Sequence, residues 1–324
     1  MPVLSVEGLE VGFHTQDGFG KAVDGVSFSL EANETLGIVG ESGCGKSVTA
    51  LSILRLIQEP PGKIVAGRIL FEGEDILRLS GEKLRNIRGN RIAMVFQDPM
   101  TALNPVFTIG SQIGEVVAIH RNAGRKEARE KAVEMLRQVG MPDPELKVDD
   151  YPHLLSGGMR QRAMIAMALA CNPSVLIADE PTTALDVTIQ AQILDLIGGL
   201  KEKFGMSVIL ITHDLGIVAR YVQRVAVMYA GKVVESCSVE NIFQNPLHPY
   251  TVGLMESIPA MRGGKGKGRL KEIPGIVPPL HDMPMGCRFH PRCPHTMAIC
   301  KTKGPELVAV APNHLCACFL QTAK

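Results

Sequence analysis

The residues with the most specific chemistry in this chain close a glycine-rich run, Gly40-Glu41-Ser42-Gly43-Cys44-Gly45-Lys46-Ser47. The pattern G-x-x-x-x-G-K-[ST] binds phosphate. Its glycines let the backbone approach the oxygens, successive N–H groups point at them, and the positive end of the following helix adds to the field. Lys46 supplies a point charge and Ser47 a hydroxyl for Mg²⁺, and Val48 to Leu56 are expected to continue as a helix. A second anion-binding element stands at Leu155-Ser156-Gly157-Gly158-Met159-Arg160-Gln161-Arg162. Ser156 is a good helix N-cap, but glycines in the first turn weaken a helix, so two in succession imply that something comes close to the backbone. The helix itself is expected over Met159 to Cys171, with Ala163, Ala166 and Ala170 allowing close packing.

Carboxylates and polar groups stand at the ends of apolar runs. Asp179 follows Val175-Leu176-Ile177-Ala178, where a carboxylate holds Mg²⁺ through water, and Glu180 beside it can orient or deprotonate an attacking water. Gln97 follows Ile92-Ala93-Met94-Val95-Phe96 and can reach the metal or the water. His213 follows Val208-Ile209-Leu210-Ile211-Thr212 and can reach a terminal phosphate. Each of these last two, taken alone, is as consistent with a structural role.

The elements that must position these groups form an α/β pattern with a largely parallel sheet. Leu36-Gly37-Ile38-Val39 and the three runs above alternate with helical stretches, and open α/β sheets bind ligands at the C-terminal ends of their strands. Between Gln97 and Ser156 the strand signals stop. Ala128, Ala132, Val133, Leu136 and Val139 have helical spacing, which predicts a helical insertion. Beyond about residue 245 come Asn245-Pro246-Leu247-His248-Pro249-Tyr250, a basic glycine-rich run from Arg262 to Arg269 and a proline-rich stretch from Pro274 to Pro279, which mark a linker and a C-terminal module. The basic run fits a solvated spacer better than a contact for anionic lipid.

The chain has 324 residues, 45% of them hydrophobic, enough for one large domain and something smaller. A net charge of +1 gives no reason to expect nucleic-acid binding. No stretch approaches the roughly 18 uninterrupted apolar residues of a membrane span, and the N-terminus lacks a basic region followed by an apolar stretch. A cytosolic location, or docking on a membrane through other proteins, is expected. The eight cysteines are then free thiols or metal ligands rather than disulfides. Cys287, Cys293 and Cys300 have five and six residues between them and are followed by Cys316 and Cys318. That spacing suits zinc poorly, and Cys293-Pro294 resembles the Cys-Pro ending of bacterial ferredoxin cluster motifs. Reduced thiols in a small loop-rich domain remain the alternative.

Taken in order over residues 3 to 250, these motifs resemble the ATP-binding cassette (ABC) ATPases. The resemblance implies a P-loop NTPase core, with Gly40 to Ser47 as the Walker A loop, Gln97 as the Q-loop, Asp179 and Glu180 as the Walker B pair, Asp186 as the D-loop residue and His213 as the switch histidine. It implies ATP contacts from Phe13, Gly40, Ser42, Gly43, Cys44, Gly45, Lys46, Ser47 and Val48, with Phe13 either the adenine-stacking aromatic or a core residue. Mg²⁺ would be held through Ser47, Gln97 and Asp179, with catalysis by Glu180, His213 and Gln97. Ser156, Gly157, Gly158 and Gln161 would meet ATP held by a partner's Walker A loop, two subunits sandwiching two ATP molecules.

Gly286-Cys287-Arg288-Phe289-His290-Pro291-Arg292-Cys293-Pro294, His248-Pro249-Tyr250-Thr251, Gln97 to Pro105 and Thr182 to Gln192 narrow the resemblance to the ATPases of oligopeptide/dipeptide (peptide/nickel) importers. That implies an ABC ATPase domain over 1–250, a helical subdomain at about 98–160 and a C-terminal extension over 251–324. It also implies a [4Fe–4S] cluster on Cys287, Cys293, Cys300 and Cys318, with Cys316 the competitor for the fourth place. The implied partners are two membrane-spanning permease subunits, a second ABC ATPase that is a paralogue or a copy of this chain, and an extracytoplasmic peptide-binding protein, with no nucleic acid. The implied location is the cytoplasmic face of the membrane. The competing expectation is a soluble ABC ATPase of DNA repair or translation, which usually carries a long coiled-coil insertion or two cassettes in one chain. A further one makes the cluster a redox sensor with the ATPase as its output.

Overall fold

A computed structural model of the chain describes residues 2–183, 185–257 and 272–322. Ala184, two residues before the D-loop residue, and the basic run from Arg262 to Arg269 lie outside the described residues. The chain divides into two compact units, one made of Glu31–Glu34 and Arg78–Ile211, the other of Pro2–Leu30, Thr35–Leu77 and Thr212–Lys324.

The first unit is built on parallel strands Ile92–Val95, Val175–Asp179 and Ser207–Thr212, with Val175–Asp179 paired to both of the others. Every residue of these strands is buried, as suits parallel strands covered on both faces. Between Pro99 and Leu154 the described residues form helices and turns only, chiefly Ile109–Arg121 and Arg125–Gln138. The second of these packs Ala128, Ala132, Val133, Met135 and Leu136 inward, the face predicted from their spacing.

In the second unit, Thr35–Val39 lies parallel to Arg224–Tyr229, and antiparallel strands Lys232–Ser238, His314–Cys316 and Val308–Ala311 follow. A separate antiparallel sheet runs in the order Gly18–Leu30, Leu4–Thr15, Gly62–Phe71, Glu74–Asp75. The chain returns to the cysteine module through helix Pro249–Glu256, whose N-cap His248 accepts the Tyr250 N–H on its ring Nδ1 at 3.1 Å.

Two helix boundaries differ from expectation. The helix after the glycine-rich loop spans Lys46–Ile53 and stops short of Leu56, because Arg55 takes a left-handed φ of 51°. The helix after Ser156 spans Gly157–Leu169, two residues early at each end: the Ser156 hydroxyl accepts the Met159 N–H, which makes both glycines helical. No helix among the described residues is long and apolar enough to cross a membrane.

Candidate functional site

The phosphate loop sits in the second unit at the C-terminal end of strand Thr35–Val39. At two of its glycines there is no room for a side chain. A Cβ on Gly40 would lie 2.2 Å from the Met228 carbonyl oxygen, and one on Gly45, at φ 99°, 2.5 Å from that of Ala22. Lys46 is 5% exposed, and its ammonium donates to the carbonyls of Gly40 at 2.8 Å and Glu41 at 3.0 Å. The lysine charge is thereby folded against the loop it serves. Cys44 is fully buried, and burial pushes its thiol up. Ser42 and Gly43 are exposed, Ser47 and Val48 half-buried. Helix Lys46–Ile53 starts from Gly45 without a side-chain cap.

Of the other expected residues in this unit, Phe13 is half-buried, and its ring lies close over Gly62. His213 is exposed directly after its strand, where Asp214 caps helix Leu215–Tyr221 by accepting the Gly216 N–H at 2.7 Å.

In the first unit the structure brings Gln97, Glu180 and Thr183 together. The Gln97 amide donates to a Glu180 carboxylate oxygen at 3.2 Å, and the Thr183 hydroxyl donates to the same oxygen at 3.1 Å. Glu180 holds a left-handed φ of 44°, uncommon for a residue with a side chain, while its N–H is anchored on the Ile211 carbonyl at 3.0 Å. Asp179, the last residue of its strand, is 5% exposed. Asp186 caps helix Val187–Phe204 by accepting the Ile189 N–H at 2.9 Å. Ser156 and Gly157 are exposed and Gly158 half-buried, but Gln161 is 1% exposed, turned into the core with its amide nitrogen unpartnered among the described residues.

The C-terminal cysteines separate into two environments. Cys287, Cys293, Cys300 and Cys318 line one small pocket together with Phe289, His290 and Thr296. Burial pushes up the thiols of Cys287 and Cys293, and that of Cys318 to about 11. Cys316 is fully buried on strand His314–Cys316, opposite Glu235. Glu235, 0% exposed, is satisfied by the N–H groups of Leu247 and His248 at 2.8 and 2.9 Å and by His314 Nε2 at 2.7 Å. Four thiols without a disulfide partner thus come from three segments to one pocket.

Residues 23–183 match the family described as ABC transporter, and residues 234–300 the oligopeptide/dipeptide transporter C-terminal region. A probable peptide ABC transporter ATP-binding protein of Sinorhizobium fredii is 56% identical over 98% of this chain and 94% of its own length. The chain belongs to the ABC transporter ATPase family. The dipeptide transport ATP-binding proteins DppD of Bacillus subtilis and Escherichia coli are 52% and 47% identical over 99% and 98% of this chain, and 96% of each of theirs. A dimeric ATP-binding cassette solved in a post-hydrolysis state with ADP and phosphate superposes with a TM-score of 0.65, at 26% identity, over 73% of this chain and 98% of that one.

In this ABC ATPase, residues outside the nucleotide-binding motifs hold the loop. The Glu41 N–H is bonded to the Tyr250 hydroxyl at 2.9 Å, and the Glu41 carboxylate to Arg292 at 3.0 Å. The motifs His248-Pro249-Tyr250 and Pro291-Arg292-Cys293 were visible as patterns, but their target, some 209 and 251 residues away, was not.

Proposed function

We propose that this chain is the ATP-hydrolysing subunit that powers import of peptides across the cytoplasmic membrane. The observation that carries the reading is the similarity, at about half identity over nearly the whole length, to peptide and dipeptide transport ATP-binding proteins. Gly40 to Val48 hold the phosphates, with Phe13 against the adenine. Ser47, Gln97 and Asp179 hold Mg²⁺, Glu180 activates the water, and His213 reads the terminal phosphate. Ser156, Gly157 and Gly158 meet the ATP of a second ATPase subunit, with Gln161 beneath them and Asp186 fixing the adjoining helix. Closure of the two subunits on ATP and their opening after hydrolysis drive transport.

The cassette comprises residues 1–250, its helical subdomain about 98–160 and the extension 251–324. Two permease subunits receive the motion, and an extracytoplasmic binding protein delivers the peptide. Supporting the permease contact, Met100, Val106, Phe107 and Leu154 on the helical stretch after Gln97 are 54–70% exposed, and Arg160 bonds both Met100 and the Pro152 carbonyl. The chain therefore works at the cytoplasmic face of the membrane. Cys287, Cys293, Cys300 and Cys318 hold a [4Fe–4S] cluster, which would tie the last residues to the arginine-bearing segment. An ABC ATPase of DNA repair or translation is the disfavoured reading, since the relatives named above are transport proteins along their whole length.

Affinity purification from detergent-solubilised membranes tests the reading. Integral membrane proteins and ATP-dependent peptide uptake by the recovered complex are expected. Recovery of nucleic acid or ribosomes in their place would overturn it.

A further inference from the structure

The segment between Cys287 and Cys293 reaches the phosphate loop at two points. Arg292, with 7% of its side chain exposed, donates through Nη1 to both Glu41 carboxylate oxygens at 3.0 and 3.2 Å and to the Tyr229 hydroxyl at 3.4 Å. Its Nε and Nη2 are held by the carbonyls of Pro274 at 2.8 Å and Ile273 at 3.3 Å, and its guanidinium stands over the Tyr229 ring at 5.6 Å. Arg288 pairs with Asp24 at 2.7 Å and donates to the Ala230 carbonyl; the next residue, Gly231, gives its N–H to the Cys44 carbonyl at 2.8 Å. Phe289, between them, packs against the rings of Tyr229, Tyr250 and His248.

Glu41 is the feature that needs explaining. It places a carboxylate, 29% exposed, one residue into a loop that must receive a polyanion. Unpaired, it would repel phosphate through a short, partly desolvated path. Its N–H is taken by Tyr250 and its carbonyl by Lys46, so the residue is fixed at every polar atom once Arg292 is in place.

We infer that Arg292 is a positioning residue for nucleotide binding: from the cysteine module it neutralises and anchors Glu41, holding the entrance of the phosphate loop ready for the anion. The inference rests on the nucleotide-binding reading of that loop. The cysteine module is then a brace of the ATP site, and anything that loosens the module weakens ATP binding before it touches the chemistry at Glu180. A planar, multidentate guanidinium is required, because the same group must reach a carboxylate, a phenol and two carbonyls.

Equilibrium binding of MgATP to the full-length chain, with turnover of the assembled transporter, tests this. Arg292→Ala should weaken MgATP by about tenfold, because it leaves a carboxylate unpaired beside the phosphates, and Arg292→Lys by less, because the charge is kept. The KM for ATP should rise by a larger factor than kcat falls. Adding Glu41→Gln to Arg292→Ala should restore much of the affinity, which a fold-stabilising role for Arg292 would not allow. Wild-type affinity in Arg292→Ala, or a double variant no tighter than the single, overturns the inference alone. Absence of MgATP binding by the wild-type chain overturns the nucleotide-site reading and the inference with it.

Discussion

The two glycine-bearing helix starts, Gly40 to Lys46 and Ser156 to Gly158, are built on opposite terms. In the phosphate loop the chain itself forbids a side chain at Gly40 and Gly45, Lys46 is folded onto the loop carbonyls, and Glu41 is pinned by Tyr250 and Arg292. At the signature helix, Ser156 provides its own cap and both glycines have ordinary helical φ. Among the described residues a Cβ on Gly157 would meet Leu185, at 3.7 Å, an ordinary contact. The first set of glycines is therefore required by this molecule's own packing. The glycine at 157 meets no such demand among the described residues. The glycine-rich loop at Gly40 to Lys46 belongs to one compact unit, and Glu180 with Gln97 to the other.

The largest expected effect separates binding from chemistry. Glu180→Gln keeps an oxygen to accept from Gln97 and Thr183 but removes the base, so MgATP binding should persist while steady-state phosphate release drops by a hundredfold or more, in the range of about 10²–10⁴ for a lost general base. Substantial phosphate release by this variant would return the base to some other group.

A paired substitution tests the glycine contrast directly. Gly45→Ala forces a side chain into a left-handed residue 2.5 Å from a carbonyl, and should lose MgATP binding with about 1–3 kcal/mol of stability. Gly157→Ala should leave the isolated chain as stable or up to about 1 kcal/mol more so, with MgATP affinity intact, since alanine lowers unfolded-state entropy at no steric cost here. Its loss should appear only in ATP-dependent subunit association and turnover, by about tenfold, because the contact proposed for it is with another molecule's phosphate. Equal association by wild type and Gly157→Ala would mean that the signature serves only its own chain.

What could be read in the sequence follows the same line. Strand ends carrying Gln97, Asp179 and His213 were legible because each sits at the end of a buried apolar run, and the phosphate loop because its glycines and lysine are contiguous. The antiparallel strand Leu4–Thr15 was not, since register shifts between Val6 and Leu9 and between Val11 and Gly12 break its alternation. Nor could the pairing of Arg292 with Glu41 be read, because 251 residues separate partners that only tertiary structure unites. The cysteines fall between. Their spacing left Cys316 and Cys318 in competition for one pocket, and the end of strand His314–Cys316 separates them, sending only Cys318 toward Cys287, Cys293 and Cys300.

That separation yields a smaller expected effect. Anaerobically purified protein should contain iron and acid-labile sulfide; Cys318→Ser should lose both and Cys316→Ser should retain them. ATP turnover in Cys318→Ser should fall only a few-fold, about what a weakened brace on Glu41 allows. Stoichiometric zinc without iron in the wild type would replace the cluster with a different metal site.

The smallest effect concerns the ground beneath the loop. His248 is 1% exposed, caps the helix that carries Tyr250, and burial lowers its pKa to about 3 from an ordinary value near 6.5. Between those values the unfolded chain binds a proton that the folded chain refuses, so stability must fall as pH drops through that window, and above about pH 6.5 the group contributes no pH dependence. His248→Asn keeps a cap acceptor but does not titrate. Thermal midpoints measured at pH 7.5 and 5.5 should converge in the variant relative to wild type, the wild type losing more on acidification. An equal loss in both would show that His248 takes up its proton in the folded state. The loop's anchor through Tyr250 would then rest on a helix whose cap acid can open, and MgATP affinity would fall with pH while the Ser156-capped helix, held by a hydroxyl, would not change.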